Sequence, residues 1–370
     1  MSIIKVKSRG TDNVTGRRNM IINGGMNICQ RATSATGVGA SEGYQVQDRY
    51  DLSVGGTTTA GRFTVTKETT DVPDGFTSAM KLDCTTADTS VAAGEFLSIT
   101  QHIESSICSR LASGTSSAKQ VTLSFYAKAN ANATYVVQLL NNKHSGFIHN
   151  NRTFNVTTSY QRFSITFQAD TTADSKFDGD QNLAGLSVSF ILHAGSDFTS
   201  ATLASDWATG ATNRAAGADS FYDSTDNTFF LTGVQLEVGD TASDFEHLTL
   251  TEDLALCQRY YVKYISGTLY ARLGIATNLS TTAAEVYNYL PVPMRDDPSL
   301  ETTGTVGNYC LYDSDDTLAC TNLIMEGGNH DNNQLVILDA TVSSGLTDGG
   351  SSQLMGYNNS SAFIAFSSEL

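Results

Sequence analysis

Proline is nearly absent: 4 residues in 370, against 31 glycines, so the turns must be built from glycine and asparagine. Charge is scarce too, at 16% of residues where about a quarter is usual. Basic residues are the rarer sign. Lys and Arg total 22 against 38 Asp and Glu, giving a net charge of −16. That balance excludes a nucleic-acid binder, which needs a basic surface to displace counterions, and it repels anionic membranes. No stretch approaches the ~20 apolar residues of a membrane helix, so no membrane insertion is expected. The N-terminus lacks an apolar signal-peptide core. Tryptophan occurs once, at Trp207. The 6 cysteines (Cys29, Cys84, Cys108, Cys257, Cys310 and Cys320) form no C-x-x-C pair. Free, mostly buried thiols in a reducing compartment are the expectation. Heptads, fixed-period repeats, a nucleophile elbow and a phosphate-cradling glycine loop are all missing, so no cofactor is implied.

What fills the space is Thr, Ser, Asn and Gly around short apolar runs, a mix that suits strands with hydroxyl-rich outer faces. The stretch 229–239 is apolar on both faces and predicts a strand buried within a sheet. Val121, Leu123 and Phe125 alternate with polar neighbours, as do Phe163, Ile165 and Phe167, and Leu186, Val188 and Phe190. Runs of this length with turn-rich joins predict a sandwich or jelly roll. Residues 250–261 read as the one convincing helix, with Thr251 as N-cap and Leu250, Leu254 and Cys257 on its apolar side. Strands return at 269–276, 284–290, 335–341 and 362–366. The expected fold is all-β: two β-sandwich, jelly-roll-like domains joined by one short helix. The boundaries are 1–19 for a polar, basic arm, 20–248 and 265–370 for the two sandwiches, and 249–264 for the linker helix.

Candidate sites are sparse. His144 and His149 lie too far apart for one face of a helix or strand, which favours solvated histidines over metal ligands. Asp174, Asp178, Asp180 and Asn182 miss the EF-hand spacing and read as an acidic turn. Glu237 and Glu246 are the candidates for a structural calcium between first and last strands. A catalytic carboxylate pair is not singled out, although such partners need not be near in sequence. Trp207, Tyr309 and Tyr312 fall in predicted loops, where an aromatic ring can stack on a sugar. Lys5, Lys7, Arg9, Arg17 and Arg18 make the arm basic on an otherwise acidic chain, which suits docking on an acidic partner.

Several of these segments carry a resemblance. Asn23-Gly24 with Ile28 and Gln30-Arg31, the run 121–126, Tyr160-Gln161-Arg162-Phe163, the block 231–246, Cys257-Gln258-Arg259-Tyr260-Tyr261 and Leu290-Pro291-Val292-Pro293-Met294-Arg295 resemble a family of bacteriophage tail-fibre and virion structural proteins. The first domain of that family looks like a carbohydrate-binding-module jelly roll. The chain departs from it at Gly25 and Met26, where an acid and an aromatic are common, and at Cys29 in place of tryptophan; the missing acid weighs against a structural calcium. The resemblance implies a non-enzymatic homotrimer, assembled in the host cytoplasm and mounted on the virion. Its partners would be a tail adaptor or nozzle, or the capsid, and a host cell-surface glycan. A capsid-attached head fibre or decoration protein without a receptor role is the alternative, and a polysaccharide-degrading enzyme a third.

Overall fold

The computed structural model describes residues 17–40, 42–56, 60–143, 146, 148–326 and 333–370. It is all-β, and the chain divides into two compact units, Met1–Thr249 and Leu250–Leu370.

The first unit is a β-sandwich. In chain order its strands are β1 (Ser34–Val38), β2 (Gly43–Tyr44), β3 (Asp51–Gly55), β4 (Arg62–Glu68), β5 (Ala79–Thr86), β6 (Phe96–Glu104), β7 (Val121–Ala129), β8 (Ala133–Asn141), β9 (Ile148–Val156), β10 (Gln161–Phe167), β11 (Ala184–Ala194) and β12 (Thr228–Val238). They form two six-stranded antiparallel sheets, ordered β1-β4-β5-β12-β7-β10 and β2-β3-β6-β11-β8-β9. Period-two alternation sends Val121, Leu123, Phe125, Ala127 and Ala129 of β7 into the shared core. At its centre Phe125 meets Phe163, Phe154 and Phe190 with ring centroids 5.0, 5.1 and 4.9 Å away. These offset and edge-on contacts add about 0.5–1.5 kcal/mol each beyond area burial.

Strand β12 lies between β5 and β7, as a run apolar on both faces requires. Its outer side is covered because the chain turns back over it. Thr122 donates to the Gly239 carbonyl at 2.9 Å, and Phe76, Tyr126 and Phe245 pave the adjoining surface. Glycine is required at Gly233, where β12 bulges. Its φ is 62°, and a Cβ would stand 2.7 Å from the Phe76 ring.

The second unit begins with the helix Leu250–Gln258, which is shorter than the sequence leads one to expect. Tyr261 onward is strand instead, because Tyr261, Val262 and Ile265 pair with the last strand of the chain. The expected stripe is buried only in part: Cys257 faces inward and Leu254 is half-buried, but Leu250 is 66% exposed and Asp253 is buried instead. The strands are β13 (Tyr261–Ile265), β14 (Arg272–Asn278), β15 (Ala283–Tyr289), β16 (Ser299–Thr302), β17 (Tyr309–Asp313), β18 (Asp316–Met325), β19 (Leu335–Val342), β20 (Ser351–Gly356) and β21 (Phe363–Ser367). Where a second sandwich was expected, six of them close into a barrel, β14-β15-β19-β18-β17-β20, beside a three-stranded sheet, β13-β21-β16. Alternation is the same in a barrel wall and a sandwich layer. Closure depends on β20 pairing with both β14 and β17, a long-range fact that no local pattern carries.

Candidate functional site

Arg18, Gly24, Glu237 and Glu246, which the sequence singled out, meet in space in a clasp around Asn19, which it did not. Asn19 Oδ1 accepts from the backbone N–H of Ile21 and of Leu236, both at 3.0 Å, and its Nδ2 donates to the Val234 carbonyl at 3.1 Å. The N–H of Val234 in turn donates to the Gly24 carbonyl at 2.9 Å. Gly24 is obligatory there, since a Cβ would fall 2.1 Å from the Val234 oxygen. Glu246 Oε2 and Oε1 accept the N–H groups of Asn19 and Arg18 at 2.8 and 3.2 Å. Glu237 accepts from Ser243 N and Oγ at 2.8 and 2.6 Å and from Gln235 at 2.9 Å. The two glutamates offered as calcium ligands therefore serve N–H and hydroxyl donors. They join the start of the domain to its end.

The other predicted residues scatter. Trp207 packs its ring against the sandwich core and donates from Nε1 to the Gln168 carbonyl at 2.8 Å. Tyr309 and Tyr312 lie in strand β17 rather than in a loop. Tyr309 is 1% exposed, and its hydroxyl donates to the Phe363 carbonyl and lies 2.8 Å from Thr303 Oγ1. Tyr312, half-buried, donates to Asp315 at 2.8 Å. Trp207 belongs to the first unit and both tyrosines to the second, and the two tyrosines lie on opposite faces of β17. Lys5, Lys7, Arg9 and His144 fall outside the described residues. Arg17 and Arg18 fold onto the sandwich: Arg17 donates to the carbonyls of Asn19 and Ile21, and Arg18 to that of Asp244. The acidic turn is tied to distant parts of the sandwich. Asp178 accepts from Lys143, Ser105 and the Asp180 N–H, which hold its carboxyl well below the usual range. All six cysteines are free, and burial pushes the thiols of Cys29, Cys108 and Cys320 up to about 12.

One constellation looks like nucleophile chemistry. Ser220 Oγ is 2.7 Å from His193 Nδ1, and His193 Nε2 is 3.3 Å from Glu95. The histidine and the glutamate side chains are wholly buried. Burial holds His193 below the ordinary histidine range despite the nearby carboxylate. A neutral ring then donates from Nε2 to Glu95 and accepts the serine hydroxyl at Nδ1. Ser220 Oγ also accepts the Tyr222 N–H at 3.1 Å. This is a buried polar staple tying the loop before β12 to β11.

An open site remains at the end of the β8–β9 pair away from its hairpin. There Asn132, Ala133, Thr134, Asn155, Val156, Thr157 and Asp219 line a groove of about 250 Å³. Thr134 and Asn155 face each other across the ladder, and Thr134 Oγ1 donates to Asn155 Oδ1 at 3.0 Å. Asp219 is held by exchange with Thr134: its N–H donates to the Thr134 carbonyl, and its Oδ2 accepts the Thr134 N–H, both at 2.7 Å. Both residues are exposed, and the second Asp219 oxygen and the Asn155 amide N–H₂ take no part in these bonds. A carboxylate acceptor beside an amide donor matches the vicinal hydroxyls of a sugar. With Asp219 as its one carboxylate, the groove lacks the pair that glycoside hydrolysis uses. None of the seven lining residues was singled out in the sequence, because they come from three separate segments and carry no motif.

No family model matches the chain, and no curated protein does. Solved structures do overlap with it. A CBM4 structure shares 16% identity over 59% of this chain and 98% of its own, with a TM-score of 0.28. A putative sugar binding protein from Bacteroides thetaiotaomicron shares 11% over 60% of this chain and all of its own, at 0.31. The enzymatically active domain of bacteriophage CBA120 tailspike protein 4 shares 11% over 60% of this chain and 21% of its own, at 0.30. Overlaps this slight carry no argument about what the chain binds.

Proposed function

We propose that the chain is a bacteriophage virion fibre protein that binds a host surface glycan through the Asn155–Asp219 groove and does not cleave it. The groove carries the reading: it offers fixed donors and acceptors, open to solvent, with a single carboxylate. The family resemblance supports the virion setting. Its motifs have structural work here, since Gly24, Gln235, Glu237 and Glu246 are engaged in the clasp. In this reading the protein is a homotrimer that multiplies a weak sugar contact by avidity, and it joins the particle through its N-terminal end. Binding to host surface glycans by calorimetry tests the proposal. Asp219→Asn keeps an acceptor for the Thr134 N–H but loses the free carboxylate oxygen, and Asn155→Ala removes the amide. Each should weaken binding about tenfold, the loss of one charge-assisted or buried hydrogen bond. Unchanged binding in both folded variants would overturn the groove assignment.

A further inference from the structure

The outer wall of the barrel carries apolar side chains that the described residues of the second unit leave partly or largely open to solvent. Register places Ile275 of β14, Tyr287 of β15 and Ile337 of β19 side by side across three strands. One step along the strands, Tyr289 faces Leu335; one step the other way, Glu285 faces Asp339, which faces Ile324 of β18. Ile275 is 70%, Tyr289 75% and Ile324 48% exposed, while Tyr287, Leu335 and Ile337 between them are half-buried. Single exposed apolar residues are ordinary, but a row in register across neighbouring strands is a surface built to be covered.

Charge says what covers it. The acids Glu285 and Asp339 stand directly opposite each other, an arrangement unfavourable for an isolated sheet. Among the described residues no cation lies within ion-pair distance of either. The second unit has four cations in all: Arg259, Lys263, Arg272 and Arg295. Arg295 is 6% exposed and bound to the carbonyls of Ser368 and Glu369, and Lys263 lies over the Phe363 ring. Arg272, exposed, reaches along this same outer face to Gln353, the neighbour of Ile275. The row thus has a cation on its β14 flank and paired acids on its β15–β19 flank. A glycan would leave the isoleucines uncovered, and an anionic bilayer would meet the acids. A second copy supplies both an apolar row and the missing cation.

We propose that this face is the surface through which copies of the chain associate, the Arg272 flank of one against the Glu285–Asp339 flank of the next. Opposite charges on opposite flanks make a head-to-tail contact, which closes as a ring of three when successive copies are related by a third of a turn. The proposal deepens the homotrimer of the preceding reading and rests on it only for the number of copies.

Light scattering on the full chain tests it. The wild type should show a mass near three chains at micromolar concentration. Ile275→Asp, whose side chain faces solvent and whose fold is checked by circular dichroism, should fall to one chain. Arg272→Asp and Asp339→Arg should each weaken association at least about tenfold, as loss of an interfacial charge pair does. The double variant should recover it, a rescue that a purely structural role would not produce. A wild type at the mass of one chain would overturn the proposal. So would a three-chain mass indifferent to Ile275→Asp, which would leave the fibre reading standing on its glycan binding. A double variant without recovery would overturn the charge pairing.

Discussion

Replacing Asn19 by alanine tests the clasp most sharply. Its side chain makes three hydrogen bonds to backbone, two accepted and one donated, and is 5% exposed. The partners in β12, Val234 and Leu236, belong to residues with no exposed surface. Asn19→Ala leaves two N–H groups and one carbonyl without their partner, and the shorter side chain adds no polar replacement. An unsatisfied buried group costs about 1–3 kcal/mol. At about 1 kcal/mol for each of the three groups, about 3 kcal/mol in total is the expected loss. For a unit of this size that lowers the melting temperature by about 6–12 °C, at about 2–4 °C per kcal/mol. The sole tryptophan, Trp207, lies in this unit, so its emission follows the relevant transition without interference from the barrel. Circular dichroism at the same temperatures provides the check. A shift below about 1 °C would refute the reasoning, because it would mean that the three bonds are worth nothing net.

Two further predictions follow from buried groups. Gly233→Ala forces a left-handed φ on a residue with a Cβ and drives that atom into Phe76 and Tyr126, so it should cost about 1–3 kcal/mol by urea unfolding. Stability should also fall on acidification from about pH 6.5 to about 5.5. Burial holds His193 and His149 below the ordinary value of about 6.5, so around and below that pH the unfolded chain binds more protons than the folded one. The stability is fully present above about 6.5 and is lost as pH drops through the window between the unfolded and folded values. The depressed carboxylates Asp88, Asp178 and Asp313 act below about pH 4 and do not contribute there. His193→Gln should flatten the urea-midpoint profile over this range; an unaltered slope would contradict the assignment.

Legibility tracked locality. Strand β12 was readable because a central strand is apolar on both faces, and β7 because it alternates. Strand β9 was not. Its sequence runs His149-Asn150-Asn151-Arg152, polar residues that are nonetheless buried, or half-buried for Arg152. Their partners arrive from far along the chain. His149 Nε2 lies 2.7 Å from the Gly210 carbonyl, and the Asn151 N–H donates to the Ala204 carbonyl at 3.0 Å. A polar strand is stable here because a loop fifty and more residues away satisfies it, and no window contains both. The same applies to the groove, where Thr134, Asn155 and Asp219 are neutral as local signals and acquire meaning from the β8–β9 register. Tyr309 shows the opposite error. Its neighbours Gly307 and Asn308 suggest a loop, whereas β17 is held between β18 and β20 inside a closed ring.

The central claim is recognition without turnover, and one measurement bears on it directly. Purified chain is incubated with host surface polysaccharide, and both retention of the polymer and release of reducing ends are followed. Retention that is lost with Asp219→Asn is expected, with no release above a protein-free control over a day. Accumulating oligosaccharide products would contradict it.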